Sequence, residues 1–255
     1  MNASGSPLAL GCRDVEAIER ATASAVSPDV VEELDDWLLA FDSGSVNRAK
    51  SAAPLQHTAR DEAMVGKIEA RYAAHGLAPL FRLATLDCFE SLRCELRLRG
   101  YNPERPTLVL VGTASAMRAI SADPPAEIAT APDAAWVALF LGEGFDPVDG
   151  ASRMARLSRA RDSLYASVRD TEKTVAVGVA AFSHGWASVH GMRTTPAFRG
   201  RGLAGKVLAG LAEAAMARKF EQCFLQVEEG NAAALALYRR AGFATAWCYE
   251  YWRGA

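Results

Sequence analysis

Two hydrophobic periods take turns along the C-terminal half of the chain. Residues 164–169 and 174–182 alternate or run apolar, and 186–193 does so again after a turn at 183–185, which predicts three consecutive strands. Residues 203–219 then switch to helical spacing. Val207, Leu208, Leu211, Ala215 and Met216 form one stripe, while Lys206, Glu213 and Arg218 lie off it. A strand is predicted at 223–227 and a helix at 232–240, with Asn231 as its cap and Ala241-Gly242 as its stop. Aromatic-rich 244–252 closes the chain as a strand, and 146–162 has the spacing of a helix.

The N-terminal half carries a quieter form of the same order. Strands are predicted at 37–41, 45–50, 80–84 and 107–111, and helices at 59–75 and 88–99, the latter capped by Asp87. Strand, capped helix and a Gly-aromatic stop recur about 143 residues apart, ending at Gly100-Tyr101 and at Gly242-Phe243. An internal duplication is therefore expected. Three prolines in 121–133 break both regular periods, so this stretch reads as a linker between domains at 1–120 and 134–255.

Composition narrows the function classes. Half of the 255 residues are apolar or aromatic and 23% are charged, as in ordinary globular proteins. Twenty-eight basic residues against 30 acidic ones give a net charge of −2, which disfavours a nucleic-acid coat, so no nucleic-acid partner is expected. The sequence lacks an apolar run of membrane-spanning length, so no membrane partner is expected either. Residues 1–11 lack the basic start and apolar stretch of a secretory leader. Five cysteines without a CxxC spacing suit a reducing cytoplasm and supply no metal-ligand set.

The segment RGRGLAGK at 199–206 is where chemistry enters, and it satisfies three phosphate-binding patterns. Gly200, Gly202 and Gly205 spell GxGxxG, and Gly200 to Lys206 spell GxxxxGK. Residues 199–204 spell (Q/R)xxGx(G/A). All three share one logic: glycines let backbone N–H groups approach an anion at a helix N-terminus. Against a P-loop, Val207 stands where a hydroxyl must hold magnesium. Against a dinucleotide fold, residues 194–198 separate the loop from its strand, and about 50 residues remain afterwards. The third pattern fits its surroundings. With VHGMRTTPAF before it and NAAALALYRRAGF at 231–243 after it, the region closely resembles the GNAT superfamily of N-acetyltransferases. The first half looks like the degenerate N-terminal unit of bacterial two-domain members.

The resemblance implies an α/β fold with a mixed, mostly antiparallel, splayed sheet flanked by helices, in two tandem copies. It implies acetyl-CoA as cosubstrate, no metal, and direct transfer to the primary amine of a small-molecule or peptide acceptor. Met192, Arg193 and Thr194 would lie along the pantetheine arm, with an N–H near Met192 facing the thioester oxygen. Arg199, Gly200, Arg201, Gly202, Leu203, Ala204 and Gly205 would hold the pyrophosphate. Asn231 would cap its helix and touch the arm. Tyr238 would protonate the departing thiolate. His190, two residues before Met192 and expected on the same strand face, is one base candidate, and Glu228 is the other. Residues 56–61, where the first half should carry its own phosphate loop, contain no glycine, so one CoA site per chain is expected. A CoA-binding sensor or scaffold without turnover is the alternative, and a homodimer is open.

Overall fold

The computed structural model describes residues 10–142, 146–171 and 173–254. Residues 1–9, which carry most of the segment read for a leader, and residue 255 lie outside them. The first half comprises α1 (Cys12–Val26), β1 (Val30–Leu34), β2 (Trp37–Phe41), β3 (Ala52–Pro54) and α2 (Ala63–Ala74). It continues with β4 (Leu80–Ala84), α3 (Glu90–Leu98), β5 (Asn102–Thr113) and α4 (Ala114–Arg118). The second half runs through β6 (Glu127–Ala129), α5 (Ala134–Phe140), α6 (Pro147–Leu157), β7 (Ser163–Asp170) and β8 (Lys173–Ser183). It ends with β9 (Trp186–Thr194), α7 (Leu203–Ala217), β10 (Gln222–Glu228), α8 (Ala232–Arg240) and β11 (Ala244–Arg253).

The eleven strands of the described residues share one sheet, in the order β1-β2-β3-β4-β11-β5-β10-β9-β8-β7-β6. Two neighbouring pairs are parallel, β3 with β4 and β9 with β10, and the rest are antiparallel. Beside each parallel pair lies the closing strand of the other half: β11 next to β4, and β5 next to β10. The order is therefore symmetric about the central β11-β5 pair from β1 to β7, with the edge strand β6 added beyond β7. This is the expected mixed, mostly antiparallel sheet with a repeated plan. The two copies share one continuous sheet by exchanging strands.

Alternation decides which core each strand residue enters. In β5, Val109 and Val111 join α1, α2 and α3 residues on one face, whereas Leu108 and Leu110 pack with α4, α7 and α8 on the other. A fully buried Phe224 or Leu208 contributes about 1.5–3 kcal/mol through this transfer from water. Two ion pairs add position. Glu19 of α1 holds Arg82 of β4, both nearly inaccessible to water. Arg156 of α6 pairs with the buried Asp42 beside β2, tying the second half to the first.

Several local expectations change. Residues 45–50 form no strand. Asn47–Ala49 is a 3-10 turn, because Val46 and Ala49, three apart, are both buried against Val26. Asp87 caps no helix; it opens the 3-10 turn Asp87–Phe89 ahead of α3 without a side-chain capping bond. The predicted helix over 146–162 is shorter, with Asp146 Oδ1 accepting from Val148 N at 2.8 Å. The structure adds α1, which sets Val15 and Ile18 toward the core against charged Arg13, Asp14 and Glu16, and the short edge strand β6 inside 121–133.

Candidate active site

The strands β9 and β10 hydrogen-bond at Ala187–Cys223, Ser188–Phe224 and Val189–Leu225, and then part. Both continue, to Thr194 and Glu228, so a wedge opens between them. A bulge in β9 accompanies the opening. His190 pairs with Val179 and Arg193 with Val177, three steps on β9 against two on β8. Gly191 sits in the bulge at φ +61°, a conformation that a side chain would strain.

The bulge also corrects one expectation. His190 and Met192 do not share a face. Met192 packs with Val189 and α7, and a Cβ on Gly178 would come within 2.5 Å of its Sδ. His190 lies on the opposite face, near Val26 and Arg48. The extra residue at 191 shifts the alternation that spacing alone assumed.

Backbone polar groups turn toward the wedge. Thr195 N–H donates to Val175 O at 2.9 Å, so its neighbour Thr194 presents its backbone away from β8. Arg199 Nε reaches the Thr194 carbonyl from that side, at 3.4 Å. Beyond a 3-10 turn at Pro196–Phe198, Gly200 (φ +76°) and Gly202 (φ +77°) shape the loop, and a Cβ on either would meet nothing within 4 Å. The α7 helix starts directly after Gly202, which has no side chain to cap it. Leu203 and Ala204 therefore point first-turn amides outward with no acceptor in their own helix, while Gly205 N–H bonds the Gly202 carbonyl. Open space, bare amides and a helix dipole fit a pyrophosphate. Arg201 folds back on Phe198, 4.7 Å from the ring centroid, and donates to Ala197 O at 3.2 Å.

Across the wedge, Asn231 Oδ1 accepts from Ala234 N at 3.2 Å, as its capping role requires. This cap places α8 so that Tyr238 is buried beside Phe243, ring centroids 6.2 Å apart. Burial raises the Tyr238 phenol to about 12, so it holds its proton at neutral pH. Glu228 ends β10, exposed.

The strand and α8 groups of the wedge open into a cavity of about 640 Å³. Met192, Arg193, Glu228, Asn231 and Tyr238 line its wedge side. The other side is built largely by residues that motif reading missed: Arg48 from the 3-10 turn, Arg105 from β5, Arg153 from α6, Gln226, Tyr249 and Tyr251. Period-2 alternation in β10 and β11 could have found the last three. The turn and the bulge that carry Arg48 and Arg105 leave no such signal. His190 also lines the cavity. Burial, and the charge of Arg48, push its imidazole down to about 3, and its Nε2 is enclosed without a hydrogen-bond partner. The ring is neutral at physiological pH and takes up a proton poorly. Among the described residues no group of His, Cys, Asp and Glu is arranged to hold a metal ion, and no helix is long and apolar enough to cross a membrane.

Comparison with known proteins agrees with this geometry. The fold superimposes on a GCN5-related N-acetyltransferase from Kribbella flavida with a TM-score of 0.71, at 16% identity, covering 97% of this chain and 96% of that one. A functionally unknown conserved protein from Staphylococcus epidermidis gives 0.67 at 12% identity, over 89% and 94% of the two chains. A tandem GNAT protein from the clavulanic acid biosynthesis pathway gives 0.59 at 10% identity, over 95% and 96%. At such identities the likeness is one of fold. No curated protein matches the chain. Residues 12–252 match the family described as "Probable histone acetyltransferase Rv0428c C-terminal". The chain belongs to that family, and its fold is shared with GNAT acetyltransferases, a tandem GNAT protein among them.

Proposed function

We propose that this protein is an acetyl-CoA-dependent N-acetyltransferase that moves an acetyl group to a primary amine by direct attack, with no acyl-enzyme. The observation that carries the reading is the wedge: β9 and β10 part, a glycine-shaped helix N-terminus follows β9, and a protonated phenol lines the cavity between the strands. The amides of residues 200–204 would hold the pyrophosphate, and the backbone of Met192 and Thr194 would align the pantetheine arm. An N–H at the bulge would face the oxygen that gains charge on attack.

Tyr238 is the proposed general acid for the leaving thiolate, since its phenol retains a proton at neutral pH. Of the two base candidates, His190 is too weak to strip an ammonium group, yet its neutral ring can accept a hydrogen bond from the amine and orient it. Glu228 at the end of β10, exposed, is the other base candidate, directly or through water. Arginines in the cavity wall favour the uncharged amine, which lowers the demand on any base. The family description names a histone acetyltransferase, so a protein lysine is one candidate acceptor.

Thiol release from acetyl-CoA over a panel of amines, with product mass as confirmation, tests the proposal. Acetylated product is expected. CoA binding without turnover on any amine would favour a sensor or scaffold instead.

A further inference from the structure

We propose that the acceptor is an anionic amine, a small primary amine that also carries a carboxylate or phosphate, held by the arginine wall that the two halves build opposite the wedge. The inference rests on the transferase reading above and narrows its substrate class.

Charge is the first observation. Among the described lining residues, Arg48, Arg105, Arg153 and Arg193 face the cavity and Glu228 is the one carboxylate. The arginines arrive from four separate elements, so their convergence is not the by-product of one basic helix face. Asp149 offsets Arg153 through a 2.7 Å ion pair from outside the lining. The charge of Arg48 is not offset in this way. Its Nη1 donates to the neutral amide oxygen of Gln226 at 3.2 Å. That amide is itself fixed: Tyr249 Oη donates to the same oxygen at 2.9 Å, and Gln226 Nε2 donates to Thr22 Oγ1 at 2.8 Å. A polar scaffold thus holds a guanidinium in the cavity without cancelling it.

Backbone geometry places a second cation. Between its pairings with Tyr249 and Tyr251, β5 spends three steps, Thr107 to Glu104, against two on β11. Arg105 occupies this bulge at φ +52°, a conformation unusual for a side-chain-bearing residue. Like charges gathered in a partly desolvated cavity repel one another, and a bound anion relieves that cost. Burial, with a smaller contribution from neighbouring Arg153 that Asp149 opposes, pulls the Arg193 guanidinium down to about 10.

The CoA phosphates do not account for the wall. The loop residues 199–205 are not among the lining, whereas Met192 and Tyr238, at the reacting end of the wedge, are. An anion bound by Arg48 and Arg105 therefore belongs to the other substrate. The same field would repel a lysine-rich peptide.

Thiol release is measured for pairs that differ mainly in one charged group: O-phosphoethanolamine against ethanolamine, and β-alanine against its amide. A lysine-rich peptide and 1,4-diaminobutane serve as cationic arms, and the first two pairs separate phosphate from carboxylate. At least one anionic member should exceed its neutral partner by about tenfold or more in kcat/KM, the scale of one charge-assisted contact. Arg48→Gln, and Arg105→Gly, which suits the positive φ, should each erase most of that advantage through the acceptor KM, with KM for acetyl-CoA unchanged. Equal rates within both pairs, or preference for the peptide or diamine, would overturn the proposal. If no amine is acetylated, the transferase reading fails, and calorimetry on the CoA-loaded protein decides the charge question alone. O-phosphoethanolamine binding that ethanolamine lacks, and that Arg48→Gln removes, supports the wall; equal or absent binding refutes it.

Discussion

The two halves build the same assembly and finish it differently. Each brings a parallel strand pair, a loop and a following helix together: β3, β4 and α2 in the first, β9, β10 and α7 in the second. In the second half the loop has two glycines at positive φ, and the helix begins with bare amides. In the first half the corresponding loop is filled. Leu55 is buried, and the His57 ring sits edge-on to Phe89 at 5.9 Å and Trp247 at 4.9 Å. Asp61 Oδ1 accepts from Ala63 N at 2.9 Å, and Glu62 follows at the helix start. A carboxylate thus takes the place that an anion would need, where the helix dipole already favours negative charge. Strand pairing sets up the wedge, and on the proposed reading the side chains at the helix entrance decide whether an anion can use it.

Swapping that chemistry should break the contrast. Gly202→Glu places a bulky carboxylate at a positive φ beside the α7 amides, and should weaken acetyl-CoA binding on the order of 100-fold or more by calorimetry. Asp61→Asn in the other half should change that affinity less than about twofold. A large effect from Asp61 would place the cofactor in the wrong half. Next in size, Tyr238→Phe should lower kcat about 100-fold, with little change in acetyl-CoA affinity. Undiminished turnover would remove Tyr238 from the mechanism.

The filled loop also leaves a signature in acid. Burial holds His57 at about 4 and His190 at about 3, below the ordinary 6.5, so both rings are neutral in the folded chain. The unfolded chain binds these protons first as the pH drops. Stability is then complete above about pH 6.5 and declines as the pH falls toward 4, on the order of 2 kcal/mol per ring near pH 5. His57→Phe should flatten the melting temperature against pH over that window, and a curve parallel to the parent would exclude His57 as a source of acid lability. Smallest of all, Asn231→Ala should cost about 1 kcal/mol of stability in a denaturant titration, by removing the α8 cap. A loss within error would show that the cap bond is dispensable.

The second half was the more legible, for physical reasons. Its strands are long and apolar, and Gly202 and Asn231 mark helix starts by chemistry that acts locally. The first half hides more. Helix α1 buries Glu19, Ala21, Thr22 and Ala25 beside Val15 and Ile18, so small and charged residues dilute the apolar stripe over its second half. The turn carrying Arg48 follows a three-residue spacing instead of alternation. At the site, Tyr238, Asn231 and the loop were readable from motif spacing. The opposite faces of His190 and Met192 were not, because a one-residue bulge at Gly191 cannot be counted from strand periodicity. The arginine wall was out of reach for a different reason: its members lie far apart in sequence, and strand exchange brings them together.

The central claim is a single working wedge per chain, located in the second half. Calorimetric titration of CoA into the full protein measures it directly. One CoA bound per chain is the predicted stoichiometry, and it should stay at one when His57→Gly opens the first-half loop. Two CoA molecules bound per unaltered chain would contradict the account.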